Sequence, residues 1–316
     1  MERAASMMHL FVPHAYRRQT TVQTKGTRFV HYTSAAAAVN ILRTNEVWMR
    51  KSSCMNDYTE VEHGLACLSS AYKGEIGQRF QRVLNSIFDG ISEEIAALFD
   101  GWQDHLRDET YLMCVSEHDD TEDGFGRLSM WRAYSEGTGV ALVLNNAPFL
   151  TPSDALKAYT SPVAYLDDKA FGDELGKIAD GIEANSGIVR SLGRDGVTAH
   201  IFHAFKFAAL CTKHPGFKEE REWRVVYSPT LDRSRYLVKD IQVIRGTPQP
   251  IYKIPLRNIP DEGFVGAEIP ELLDRIIIGP SEYPDAMREA FRDLLAEAGV
   301  DNPGNRIYVS SIPLRQ

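Results

Sequence analysis

At 316 residues, with 43% hydrophobic and 25% charged residues, the chain has the make-up of a globular protein that buries one large core or two small ones. Its net charge of −8 excludes a bulk electrostatic pull toward nucleic acid, although a local basic groove is compatible with it. Cys54, Cys67, Cys114 and Cys211 form no CxxC pair, and no apolar run reaches the roughly 18 residues of a membrane helix, so reduced thiols in a cytoplasm are expected.

The opening, MERAASMMHLFVP, is too short an apolar run for a signal peptide. Residues 1–26 show no sustained period and carry Arg17, Arg18 and Lys25, so a loosely held arm is expected there. Residues 29–32 read as a short strand, and Thr33 or Ser34 can cap a helix over 35–42. Asn45 can end that helix, and 47–49 reads as a second strand. His31 and Tyr32 then sit where a strand meets a helix N-terminus, a place suited to an anion or polar ligand. A lone histidine at a strand end also serves as a packed structural group. Asn56-Asp57 is a turn signal, and Asp57 with Glu60 resembles a capping box opening a helix over 61–72.

Residues 79–107 carry Phe80, Val83, Leu84, Ile87, Ile91, Ile95, Phe99 and Leu106 at three- and four-residue steps, the clearest helical pattern in the chain. Gly90 can break it in two. Residues 111–116 are an apolar run of strand length. The acidic stretch 117–127 reads as a solvated surface loop without calcium-loop spacing. Residues 128–134 read as a short helix with Trp131 and Tyr134 on one face, and 140–144 as a buried strand. Such aromatics usually pack in a core, but their place between two strand ends also suits a planar ring ligand. A loop over 151–161, a strand at 163–166 and helical patterns at 167–192 and 197–211 follow. His200 and His203 lack an HExxH partner, so no zinc site is expected.

The run FKEEREWRVVY, 217–227, brings charge into an alternating strand pattern. On an extended backbone Glu220 and Glu222 point to the same side, and paired buried carboxylates raise one another's pKa, as acid–base work needs. The same pattern suits an ion-paired strand entering solvent. Strands at 251–254, 275–279 and 307–310 and a helix at 285–298 complete the chain. Short strands separated by helices without a strict βαβ rhythm predict an α+β fold with a mixed, mostly antiparallel central sheet and flanking and inserted helices. The expected organisation is one domain over 27–316, with helical insertions near 61–108 and 167–214. There is no GxGxxG, GxxxxGK[ST] or GxSxG, so dehydrogenase, P-loop and hydrolase readings lose support.

The ordered set HYTS (31–34), MNDYTE (55–60), WRAY (131–134), EREWR (220–224), RIIIGP (275–280) and SSIPLR (310–315) resembles a bacterial domain-of-unknown-function family (DUF2971-like), from about residue 28 to the end. The opening strand–His–capped helix–Trp unit is also similar to the start of ADP-ribosyltransferase-like domains. That second resemblance implies an ADP-ribosyltransferase-like fold and a cytoplasmic enzyme consuming NAD as substrate, a transferase or NAD glycohydrolase acting as a bacterial toxin or phage-defence effector. It implies Glu222 as the carboxylate that stabilises the developing ribosyl cation, with Glu220 orienting or deprotonating the acceptor. His31, counted with Glu222 and Glu220 among the catalytic residues, would with Tyr32 and Thr33 bind the ribose or carboxamide, Trp131 or Tyr134 the nicotinamide, and Arg224 a phosphate. Asn56, Asp57 and Glu60 would lie on the acceptor side. The assignment needs His31 and Glu222 to face each other across one cleft. The acceptor stays open between protein, nucleic acid and water, and a neighbour-encoded regulatory partner is compatible with this reading. No membrane partner and no bound metal are expected from it. The alternatives are a metal-dependent nuclease using Asp57, Glu60, Glu220 and Glu222, and a non-catalytic nucleotide-binding or interaction module.

Overall fold

In the computed structural model, residues 2–55, 60–135 and 138–313 are described, residues 2–6 and 60 by their backbone alone. The chain divides into two compact units, each assembled from three separate stretches. One takes Met1–Thr21, Lys51–Thr110 and Ser161–Lys218, the other Val22–Arg50, Tyr111–Thr160 and Glu219–Gln316. The ranges expected as helical insertions both fall in the first unit. Their grouping with one another into a unit of their own is a tertiary fact that local periodicity does not carry.

The first unit is helical, with Glu60–Lys73, Glu75–Ile87, Ile91–Asp108, Asp168–Ala184 and Gly193–Leu210 as its main elements. The predicted break at Gly90 is present, and its φ of +71° is open to glycine at little steric cost. Gly64 meets a different demand. A Cβ there would stand 2.1 Å from the carbonyl oxygen of Ala209, so two helices approach too closely for any side chain. The expected N-terminal arm is instead helical, as Glu2–Phe11 and Pro13–Lys25. Leu10 and Phe11 are buried, and the Phe11 ring stacks on His200 at 4.9 Å. Pro13 starts the second helix, where its missing N–H costs nothing, and the break at Val12 hides the helical period from a sequence window.

Among the described residues, twelve strands follow in chain order: β1 (Arg28–Ser34), β2 (Glu46–Lys51), β3 (Tyr111–His118), β4 (Gly139–Leu144), β5 (Ala158–Pro162), β6 (Ala164–Tyr165), β7 (Thr212–Lys213), β8 (Glu222–Tyr227), β9 (Val238–Ile244), β10 (Thr247–Pro255), β11 (Leu273–Ile278) and β12 (Ile307–Val309). β6 and β7 pair with each other alone. The other ten form one sheet in the order β12-β11-β4-β1-β3-β2-β10-β9, with β8 pairing both β3 and β5. Pairing is antiparallel for β1 with β3 and β4, β4 with β11, β3 with β8 and β10 with β2 and β9, and parallel for β11 with β12. The mixed, mostly antiparallel sheet is therefore as expected.

The first strand–helix–strand unit forms as read. Ser34 accepts from the Ala37 backbone N–H at 3.3 Å, and Asn45 closes the helix Ala35–Thr44 in the left-handed region at φ +51°. One face of the sheet carries Phe29, Val115, Leu142, Trp223 and Val225 against Ile41 and Leu42 of that helix and Phe291 and Leu295 of the helix Pro284–Glu297. Burying each such side chain contributes about 1.5–3 kcal/mol. The opposite face carries Val30, Tyr32, Ala141, Val143 and Ile277 under the helix Leu128–Tyr134. β5 lies where a loop was expected, and β9 was not foreseen.

Candidate functional site

Strand alternation decides which candidate residues meet. Across β1, β3 and β8, Val30 opposes Ser116, and Ser116 opposes Glu222. Directly opposed residues share a face, so Glu222 and Arg224 lie on the side of Val30 and Tyr32. His31 opposes Leu142 and lies on the other side, with Phe29 and Trp223. The expectation that His31 and Glu222 face each other across one cleft is therefore corrected: the two have opposite parity in one sheet. The half-buried His31 has a structural partner. The registered β1–β3 pairs end at Val30 and Ser116, and just beyond them the His31 Nδ1 lies 2.9 Å from the Cys114 carbonyl oxygen. A carbonyl only accepts, so Nδ1 carries the proton. Burial holds the His31 pKa below its ordinary value, with the carbonyl contact opposing it. Thr33 opposes Val140 near the end of β1.

On the Tyr32 face, Glu222 and Arg224 form a buried pair two positions apart. Arg224 donates through Nε to Glu222 Oε1 at 2.9 Å and through Nη2 to Oε2 at 3.4 Å. Both carboxylate oxygens are engaged, which fixes the group in one orientation. The expected role of Arg224 as a phosphate ligand conflicts with this burial and pairing. Glu220 does not follow Glu222 on one extended backbone. β8 starts at Glu222, and Arg221 between them has φ +46°, so the period-2 rule stops there. Glu220 nevertheless reaches the same region, because the half-buried Tyr134 donates its O–H to Glu220 Oε1 at 3.4 Å and packs on the Val30–Tyr32 cluster.

Trp131 is not available for stacking on a ligand. It is fully buried, its Nε1–H donates to the Phe125 carbonyl at 2.8 Å, and it meets Tyr32 edge-on at 4.9 Å. Gly126 and Gly279 press on the indole: a Cβ at either would come within 2.6 and 2.9 Å of its ring carbons. Trp131 thus supports Tyr32, and Tyr134 is the less buried of the two aromatics. The Tyr32 phenol is pushed up to about 12 by burial and accepts from the Arg127 backbone N–H at 2.8 Å.

Arg127 is a residue the sequence reading passed over. It donates to the carbonyls of Glu117, Glu219 and Glu220 at 2.9, 2.8 and 3.3 Å, and pairs with the Glu122 carboxylate at 3.0 Å. It clasps the stretch before β8 onto the end of β3. The acidic stretch 117–127, expected as a solvated loop, is exposed at 119–121 and 124–125 but turns Glu117 and Glu122 inward. Glu117 accepts from Trp223 Nε1 at 2.8 Å, and Glu122 is buried beside Arg127. Asp123 meets Arg28, Arg275 and His118 at 2.8, 2.7 and 2.8 Å. A single arginine closing an acidic run was the available signal for this internal pairing.

Asn56 and Asp57 lie outside the described residues, and Glu60 is described only as the first residue of its helix. Among the described residues, no group of three or more His, Cys, Asp or Glu is arranged to hold a metal ion. No helix among them is long and apolar enough to cross a membrane. Residues 130–225 match the model of a family described as a protein of unknown function (DUF2971). That segment runs from the helix of Trp131 and Tyr134 to the strand of Glu222 and Arg224, and it bears out the family resemblance carried by their motifs. No curated protein matches the chain, and no solved structure does.

Proposed function

We propose that the chain is an NAD-consuming enzyme with an ADP-ribosyltransferase-like fold, working on the sheet face that holds Tyr134, Glu220 and Glu222. The observation that carries this reading is the pairing of two differently held carboxylates. Glu222 is an oriented, buried anion, whereas Glu220 is half exposed and touches a phenol. The mostly antiparallel sheet and the placement of the aromatic helix on the Glu222 face support the same reading.

Breaking the bond between nicotinamide and ribose places positive charge on the ribose. The Glu222 carboxylate, held by Arg224, stabilises that charge, a contribution of about 3 kcal/mol by comparison with single groups in other sites. An acceptor O–H adds to the ribose carbon as nicotinamide leaves with the bonding electron pair, and Glu220 takes the acceptor proton. With water as acceptor the products are nicotinamide and ADP-ribose; with a protein or nucleic acid the ADP-ribose is transferred. Tyr134 offers its ring to the nicotinamide. Arg224 positions Glu222, and His31 and Trp131 act as supports outside the reaction. Loss of NAD damages a cell, which suits a bacterial toxin or phage-defence effector.

The test is incubation of the purified chain with NAD, with and without cell lysate, following free nicotinamide. Wild type should release it, Glu222→Gln about 100-fold more slowly, and a chelator should change nothing. Equal release by wild type and Glu222→Gln removes Glu222 from the mechanism. Binding of NAD with the nicotinamide left attached makes the chain a binding module. Chelator-sensitive cleavage of nucleic acid makes it a nuclease.

A further inference from the structure

β9 ends the ten-stranded sheet, and it carries an unusual set of residues for an open edge. Val238, Ile241 and Val243 are 58%, 70% and 67% exposed. Ile241 and Val243 share a face with Pro250 and Pro248, which oppose them on β10. Open edges offer backbone groups to any passing strand, and natural ones are usually guarded by a central charge or a bulge. β9 carries Lys239 and Asp240 beside its midpoint, but the midpoint itself is Ile241, and the β9–β10 register runs without a shift up to the turn at Arg245 and Gly246.

The geometry points to a second copy of this chain as the partner, with β9 pairing antiparallel to β9 of the other copy about a two-fold axis through Ile241. An axis perpendicular to the sheet keeps odd-numbered residues on one face in both copies, so opposed residues must have equal parity. Centring on Ile241 opposes Val238 with Ile244, Lys239 with Val243, Asp240 with Gln242 and Ile241 with its own counterpart. All seven residues are used, two apolar pairs form, and each Gln242 amide meets an Asp240 carboxylate. Neighbouring registers are worse: centring on Asp240 sets carboxylate against carboxylate, and centring on Lys239 sets ammonium against ammonium. Within one copy Asp240 already holds Lys253 at 2.9 Å and Gln242 at 2.8 Å, so its carboxylate is in place on the even-numbered face of the seam. The self-complementary register, not exposure alone, selects a second copy over an unrelated strand. A seam of this size is small for a stable interface, so the expected association is in the micromolar range.

Sedimentation velocity of the full chain over loading concentrations of about 1 to 200 μM tests this. Wild type should shift from monomer to dimer across that range. Ile241→Lys places two ammonium groups on the axis and should raise the dissociation constant at least about tenfold. Gln242→Lys sets a lysine against Asp240 of the other copy and should keep or tighten the dimer. Both side chains lie on the sheet edge, so circular dichroism should be unchanged in either variant. Wild type that stays monomeric to the highest concentration overturns the proposal, whether or not it binds an added strand peptide. So does an Ile241→Lys variant that dimerises like wild type.

Discussion

Arg224 and Glu222 are 1% and 9% exposed at their side chains, so the ion pair between them is shielded from solvent. Arg224→Met takes two hydrogen bonds from a buried carboxylate and should cost about 3–5 kcal/mol, while adding Glu222→Met should restore most of it. Urea unfolding of the two variants checks this, and a double variant no more stable than Arg224→Met would refute the coupling. Tyr134→Phe is a contrasting case. Its O–H contact with Glu220 is long and half exposed, so it should change stability by less than about 1 kcal/mol. A fall in nicotinamide release without a fall in urea midpoint would place Tyr134 at the ligand. Trp131→Ala empties a fully buried site and should cost about 3–5 kcal/mol, which the same titration would show.

The helices separate two kinds of glycine. Gly101 lies within the helix Ile91–Asp108, and a methyl added there would meet nothing within 4 Å, so Gly101→Ala should gain about 0.5–1 kcal/mol. Gly64→Ala drives a methyl into the Ala209 backbone and should lose several kcal/mol. Thermal melts of both read the sign directly. The patterns legible in the amino-acid order were the strongly periodic ones: the helices on either side of Gly90, the aromatic helix Leu128–Tyr134 and the capped helix after β1. β9 escaped because Lys239, Asp240 and Gln242 interrupt its apolar residues, and β10 looked shorter because Pro248 and Pro250 are poor strand formers. For the site, Tyr32, Tyr134, Glu220 and Glu222 were visible as types and do gather. The face of His31 was not, because parity across β1, β3 and β8 depends on a register that no single segment contains.

At the scale of the whole molecule, burial holds His14, His31, His118 and His200 below the ordinary imidazole pKa. The sign follows from proton counting. The unfolded chain binds protons at these histidines near pH 6.5 while the folded chain resists them, so stability falls as pH drops below about 6.5 and stops falling once each folded pKa is passed. Melting temperature should therefore be lower at pH 5.5 than at pH 7.5, well above the range where Asp274, held low by Arg275 and Arg28 against its own burial, begins to protonate. Differential scanning fluorimetry across that interval checks it. His31→Gln should flatten part of the slope, and an unchanged slope would show that His31 takes up its proton without unfolding. Trp131 and Trp223 offer a separate view of the same process. The two indoles are sealed on opposite sides of a single sheet, one carried on the short aromatic helix and the other covered by the two longer ones. Their emission should be blue-shifted in the folded chain and move red on exposure. With Trp48 and Trp102 both replaced by Phe, replacing either of the remaining two would leave one indole that reports on one layer, so stopped-flow traces of the two variants would time the opening of each layer independently.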